Sequence, residues 1–381
     1  MYNLGTAVIG TGFIGPVHIE ALRRIGANVV GIADVDTAKA EQVASIWGLA
    51  KTYKTLDEVL ADDDVQVVHL CTPNFLHYAM AKSALLAGRH VVCEKPLAMN
   101  SRETAELMEL AEKTGLGAMV DYNLRYYPLS IEARDMVQRG DVGKVFSVCG
   151  SYVQDWLFYD TDYNWRVVSK EGGQSRAIAD IGTHWIDLVH AITGLNIEAV
   201  CADLKIVHPV RKRPTGEVET FSGKVTQVVP TEDVEINTED YGCVMIRFEG
   251  GAVGCLWVSQ VTAGRKNCLR YEIAGSKLAL AFDSESPNQL WIGRRDKPNE
   301  VLLRDPGLVS EAARQAITYP GGHNEGFPDT MKQAFKSFYD YVSAGDMSAP
   351  RPFPTFADGH REVAVCEAIL RSSREGGWVK L

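Results

Sequence analysis

The side chains of this 381-residue chain best suited to moving a proton are a lysine set between a carboxylate and a proline, Glu94-Lys95-Pro96, and an aspartate four residues before a histidine, Asp180 and His184. An ammonium at an alcohol oxygen stabilises the negative charge that develops as the carbon gives up hydride. An imidazole beside it takes the hydroxyl proton near neutral pH when a carboxylate holds the ring in one tautomer. Asp180 and His184 share a helix face if Trp185, Ile186, Leu188 and Val189 belong to one helix. Read locally, Lys95 also fits a surface lysine paired with Glu94, and the Asp180–His184 pair a helix-end contact. A metal reading through Asp180, His184 and Asp187 lacks a second cluster of His or Cys, so no metal is expected.

These groups need a scaffold, and the first element of it is a glycine turn. Gly10-Thr11-Gly12-Phe13-Ile14-Gly15 follows the apolar run Thr6–Ile9 and precedes a segment of helical spacing from Val17 to Arg24. In a strand–turn–helix, Gly10 permits the tight turn, Gly12 lets a pyrophosphate approach the backbone, and Gly15 lets helix and strand pack closely. The helix amino terminus then faces the anion. A second apolar run, Val29–Ala33, ends at Asp34, about 20 residues past the last glycine, where a carboxylate binds the ribose hydroxyls of an adenosine. Val35 follows rather than Arg or Ser, so NAD is expected over NADP.

Alternating strand and helix patterns continue with Val65–Cys71, Tyr78–Ala87, His90–Cys93, Ser101–Thr114 and Ala118–Val120. Ser101, Glu103 and Thr104 offer N-capping chemistry for the last helix, and Gly115 suits its end. Lys95 follows a buried strand directly, so it should stand at the carboxyl edge of the sheet, where ligands of open α/β folds bind. Pro96 fixes φ and permits a cis bond. Past Arg125 the character changes to β-rich runs at 145–152, 199–207, 241–249, 252–261, 269–274 and 277–282, closed by helices over 327–343 and 355–374. Residues 209–240 read as a polar excursion with a short hairpin.

The expected architecture is an α/β amino-terminal Rossmann domain with a parallel, doubly wound sheet (residues 1–124). An α+β carboxy-terminal domain with a large, open, mostly antiparallel sheet follows (residues 125–381), its last helices free to pack back on the first domain. A length of 381 residues exceeds what one core usually supports, and 46% hydrophobic residues suffice for two. A net charge of −10 argues against nucleic-acid binding, and no apolar run approaches the ~20 residues that span a bilayer. The start of the chain shows no export signal, and eight cysteines without a C-x-x-C pair read as free thiols in a reducing cytoplasm.

Taken together, the glycine turn, Cys71-Thr72-Pro73-Asn74 with His77, Glu94-Lys95-Pro96, Asn123 and Arg125, and Asp180 with His184 resemble the Gfo/Idh/MocA oxidoreductases over nearly the whole chain. The resemblance implies a catalytic triad of Lys95, Asp180 and His184. It puts the glycine turn, Asp34, Thr72, Pro73, Asn74, His77, Glu94, Lys95 and Asn123 on the cofactor, with Pro73, Asn74, Glu94 and Asn123 near the nicotinamide. It also implies a homodimer or homotetramer formed through the open sheet. Gln154-Asp155-Trp156, Asn164-Trp165-Arg166 and the Gly321–Gly326 loop with His323 are similar to members that oxidise the C3 hydroxyl of pyranosides and anhydrosugars such as levoglucosan. Gln154, Arg166 and His323 would bond vicinal hydroxyls, and Trp165 would face the C–H side of the ring. Inositol oxidation, an NAD-recycling glycosidase working through a 3-keto intermediate, and a non-catalytic sugar sensor are the alternatives.

Overall fold

Strands β1 (Gly5–Ile9), β2 (Asn28–Ala33), β3 (Lys51–Tyr53), β4 (Val67–Leu70), β5 (His90–Cys93) and β6 (Ala118–Val120) pair in parallel, in the order β3-β2-β1-β4-β5-β6. The structure is a computed structural model that describes residues 2–215 and 230–381. Helices α1 (Ile14–Arg24), α2 (Thr37–Trp47), α3 (Leu56–Leu60), α4 (Asn74–Leu86) and α5 (Ser101–Thr114) make the crossovers. Helices on both faces bury the central strands, which is why they read as unbroken apolar runs: Ala7, Val8, Val67, Val68, Val91 and Val92 have no exposed surface. The order reverses between β1 and β4, opening a crevice at the carboxyl ends of the strands. Helix α5 spans the expected Ser101–Thr114, but its cap is Asn100 rather than Ser101, the Asn100 side chain accepting from the Glu103 N–H at 3.0 Å.

The rest of the chain contributes α6 (Pro128–Gln138), β7 (Val145–Val153), α7 (Ser169–Gly172), α8 (Thr183–Thr193), β8 (Ile197–Lys205), β9 (Val210–Pro214), β10 (Thr231–Glu235), β11 (Tyr241–Phe248), β12 (Val253–Ser259), β13 (Cys268–Gly275), β14 (Ala279–Asp283), β15 (Gln289–Gly293), β16 (Glu300–Leu303), α9 (Glu311–Gln315), α10 (Phe327–Ala344), α11 (Phe356–Glu375) and β17 (Val379–Lys380). Nine of these strands form one sheet in the order β16-β15-β14-β13-β7-β12-β11-β8-β17. Only β7 and β12 run parallel; every other pair is antiparallel. Strands β9 and β10 pair as a separate ribbon, which is the hairpin expected of the polar excursion; residues 216–229 between them lie outside the described residues.

One face of the large sheet carries α8 and α11. Trp185 of α8 lies flat against Gly150, where a side chain would stand 2.3 Å from the indole nitrogen, and that nitrogen donates to the Arg270 carbonyl at 2.8 Å. The opposite face leaves Met245, Val253, Trp257, Trp291 and Val301 exposed. Helix α10 packs back on the first sheet: Met331, Phe335, Phe338 and Tyr339 share a core with Val8, Ile19, Leu22 and Ile32. The Val120 N–H donates to the Pro354 carbonyl at 3.0 Å, so the segment before α11 also leans on the edge of the first sheet. The end of the chain thereby ties the two sheets together. No helix among the described residues is long and apolar enough to cross a membrane.

Candidate active site

The glycine turn has two glycines fixed from within and one from without. A side chain at Gly10, whose φ is +110°, would stand 2.5 Å from the Cys71 carbonyl, and one at Gly15 would stand 2.0 Å from the Gly10 carbonyl. At Gly12 no atom of the described residues, its own chain neighbours aside, lies within 4 Å of where a Cβ would be. Open backbone at the amino end of α1 is the surface a pyrophosphate needs, so these residues fit a dinucleotide. Phe13 flanks the opening, half exposed, and Ile14 begins the helix. Asp34 leaves the end of β2 and ties the turn down: its Oδ2 accepts from the Thr11 N–H at 2.8 Å and hydroxyl at 2.7 Å.

The far wall is built from the starts of α4 and of the segment after β5. Pro73 precedes α4, and Asn74 donates its side-chain amide to the Gly172 carbonyl at 2.8 Å, linking the start of α4 to the end of α7. His77 is wholly buried, with Nδ1 2.8 Å from the Pro96 carbonyl and Nε2 2.9 Å from the Thr72 carbonyl. Asn123, also buried, donates to the Thr330 hydroxyl of α10 at 2.7 Å. Asn74, His77 and Asn123 thus spend these side-chain contacts on neighbouring loops and helices.

Lys95 lies two residues past β5, next to a cis Lys95–Pro96 bond, and its ammonium donates to the Asp180 carboxylate at 2.7 Å and to the Asp180 carbonyl at 2.8 Å. The second carboxylate oxygen accepts from the Gln260 amide at 2.7 Å, and the Arg166 Nε lies 3.7 Å from the first. Asp180 does not hold His184. Residues 178–182 form a π turn ahead of α8, and the two Asp180 oxygens are taken by Lys95 and Gln260, with no hydrogen bond to His184 among the described residues. The i, i+4 spacing left out partners from other elements; the carboxylate instead orients the lysine.

His184 is buried, edge-on to Tyr122 at 5.6 Å and near Tyr152 at 6.1 Å, and its Nδ1 has no hydrogen-bond partner among the described residues. Burial first, and then the Lys95 charge, bring its pKa down to about 3, so the ring is neutral. Burial works to raise the Asp180 pKa, but Lys95 and Arg166 outweigh it and hold the carboxyl down at about 2. A cationic lysine fixed by an anionic carboxylate beside a neutral imidazole is equipped to stabilise an alkoxide and accept a proton. Asp187 is taken elsewhere, gripped by Arg125 at 2.7 and 2.5 Å, which removes it from any shared site with Asp180.

Of the residues read as sugar contacts, Arg166 reaches the site: its guanidinium stacks on Trp165 at 4.3 Å while its Nε approaches Asp180. Gln154 donates to Asn267 at 2.9 Å, beside Tyr152, and its Oε1 is buried without a partner among the described residues. His323 sits on an exposed loop, its Nδ1 3.4 Å from the Gly321 carbonyl and its own carbonyl held by Arg304. Gln260 and Tyr122, which carry no local signal in the sequence, are the site neighbours that only the fold discloses.

Residues 4–122 match the oxidoreductase family with an NAD-binding Rossmann fold, and residues 131–281 match the GFO/IDH/MocA C-terminal domain. The chain is similar to levoglucosan dehydrogenase of Pseudarthrobacter phenanthrenivorans, 27% identical over 100% of this chain and 98% of that protein. Among solved structures it resembles an oxidoreductase domain protein from Kribbella flavida (30% identity, TM-score 0.88, covering 100% and 99% of the two chains). It also resembles an inositol dehydrogenase homologue from Azotobacter vinelandii complexed with NADH and myo-inositol (25% identity, TM-score 0.86, covering 100% and 98%). With a parallel sheet carrying the glycine turn and a large mixed sheet behind Asp180, the chain belongs to the GFO/IDH/MocA family of oxidoreductases.

Proposed function

We propose that the chain is an NAD-dependent dehydrogenase that oxidises a secondary alcohol, the C3 hydroxyl of a pyranoside or of an anhydrosugar such as levoglucosan, to the keto sugar. The observation that carries this reading is the Lys95 ammonium fixed on the Asp180 carboxylate beside a buried, neutral His184. NAD supplies the hydride acceptor; Gly12, Phe13, Ile14 and Asp34 would hold it, with Thr72, Pro73 and Glu94 lining the inner end. Lys95 donates a hydrogen bond to the substrate oxygen and stabilises the charge that grows there. The His184 ring accepts the hydroxyl proton. Asp180 and Gln260 keep the lysine aimed, and Trp165 with Arg166 offers an apolar ring face and a donor for a neighbouring hydroxyl.

Full-length likeness to a levoglucosan dehydrogenase favours the anhydrosugar, and similar coverage of an inositol dehydrogenase homologue keeps a cyclitol as the second reading. The test is a panel of levoglucosan, methyl pyranosides and myo-inositol, assayed for NADH and NADPH formation. NADH from a pyranoside or anhydrosugar at a higher kcat/KM than from myo-inositol supports the proposal; preference for the cyclitol, sugar turnover without net NADH, or no turnover contradicts it. The exposed apolar side chains of the large sheet also favour a homodimer or homotetramer. A monomer by light scattering at micromolar concentration contradicts that.

A further inference from the structure

Glu94 joins Lys95 to a second polar cluster that the proposed chemistry leaves unused. One oxygen of Glu94 accepts from the Lys95 peptide N–H at 3.1 Å, and the other lies 3.2 Å from Nε2 of His18. The same nitrogen is 3.4 Å from a carboxylate oxygen of Asp121. His18 projects from α1, His69 from β4, Glu94 and Asp121 from the ends of β5 and β6, and all four are buried. The His18 Nδ1 lies 3.0 Å from the Nδ1 of His69, whose Nε2 is 3.1 Å from the Tyr339 hydroxyl of α10; that hydroxyl is 2.6 Å from the Thr6 hydroxyl.

Counting protons along this row favours one charge state. Nε2 of His18 faces two carboxylates, so it carries hydrogen, because a lone pair there would meet two anions. One proton must also lie between the two Nδ1 atoms. If His69 supplied it, His18 would be neutral, leaving two buried carboxyl groups without a cation, since the Lys95 ammonium is committed to Asp180. If His18 supplies it, an imidazolium faces both carboxylates and every later bond runs one way, from His69 to Tyr339 to Thr6.

We infer that His18 is a standing imidazolium that clamps Glu94 and Asp121 and so fixes the peptide N–H of Lys95, making it a positioning residue for the lysine. The inference rests on the proposed role of Lys95. Burial opposes the His18 charge, but Cys71, Asp121 and Glu94 outweigh it and raise its pKa well above the ordinary value. His69 is driven down, by burial and then by His18. Burial would raise Glu94, yet His18 and Lys95 hold it at about 2, while burial lifts Asp121 to about 6. Phe335 of α10 closes the remaining side of the His18 ring at 4.7 Å and brings no charge.

The direct test is the imidazole nitrogen spectrum of the full-length, ligand-free protein with labelled histidines, assigned by single His→Gln variants. Both His18 nitrogens should be protonated from pH ~6 to ~9, and only one of His69. An unprotonated His18 nitrogen at neutral pH overturns the inference, as does stoichiometric zinc bound where His18, Glu94 and Asp121 converge, since zinc would need Nε2 bare. His18→Gln should lower kcat/KM at least about tenfold, and adding Asp121→Asn should recover most of that loss, because one buried carboxylate no longer faces another. A double variant no better than the single one would mean that His18 only fills space. The spectra need no substrate, so their outcome is separate from whether the chain oxidises sugars.

Discussion

Lys95→Met keeps the length and apolar stem of the side chain and removes its charge and three donors. Three losses follow from its contacts. The substrate oxygen loses its positive partner, and removing one such donor from a preorganised site costs ~10²–10³ in kcat. Asp180 keeps Gln260 and Arg166 but loses its ion pair; with the two side chains 14% and 16% exposed, breaking the pair should cost about 3 kcal/mol, the low end for a buried one. His184 loses the nearest charge that depresses it, so its pKa should rise from about 3. The lysine touches neither the glycine turn nor Asp34, so the dissociation constant of NADH should stay within about threefold of wild type. Steady-state turnover, NADH fluorescence titration and urea unfolding read the three effects separately. A kcat within about threefold of wild type, or NADH affinity falling in step with kcat, would refute the assignment of Lys95 to the reacting oxygen.

Gly12→Ala should leave the unfolding midpoint unchanged and weaken NADH about tenfold, because its Cβ enters the open space. Gly15→Ala should cost ~2–4 kcal/mol of stability, since its Cβ meets backbone at 2.0 Å; urea unfolding of the pair reverses this order if the turn has been misread. Gln260→Leu strands an Asp180 oxygen and an Arg176 guanidinium nitrogen, so stability should fall by about 1–3 kcal/mol and kcat with it; an unchanged kcat would show that Asp180 needs no second anchor. The depressed His184 pKa makes stability depend on acid. The unfolded chain takes the proton at ~6.5 and the folded one only at about 3, so this contribution is complete above pH ~6.5 and is lost as pH falls toward 3. At pH ~5 the loss is about 2 kcal/mol, and a His184→Gln variant that retains the full acid slope in urea unfolding would contradict it.

The first sheet, apart from its short edge strand β3, was legible because doubly covered parallel strands are uninterrupted apolar runs, and Gly10, Gly12 and Gly15 announce the turn that opens it. Lys95 could be placed for the same reason, by following a buried strand to its end. Strand β15 and the edge strands β16 and β17 were not, being short, with little pattern to detect. Spacing also misdirected the Asp180 carboxylate toward His184, because its actual partners, Lys95 and Gln260, are 85 and 80 residues away in sequence and no local pattern marks them. Gln260 and His18 were illegible for the same reason: their partners arrive from other elements, so no local pattern marks either one.

A crystal structure of the chain with NADH and levoglucosan bound tests the central claim most directly. The account predicts one sugar hydroxyl, on the carbon facing the nicotinamide, within ~3.2 Å of both the Lys95 ammonium and a His184 ring nitrogen. A sugar bound away from Lys95, or a reacting carbon turned from the nicotinamide while Lys95 remains locked on Asp180, would contradict it.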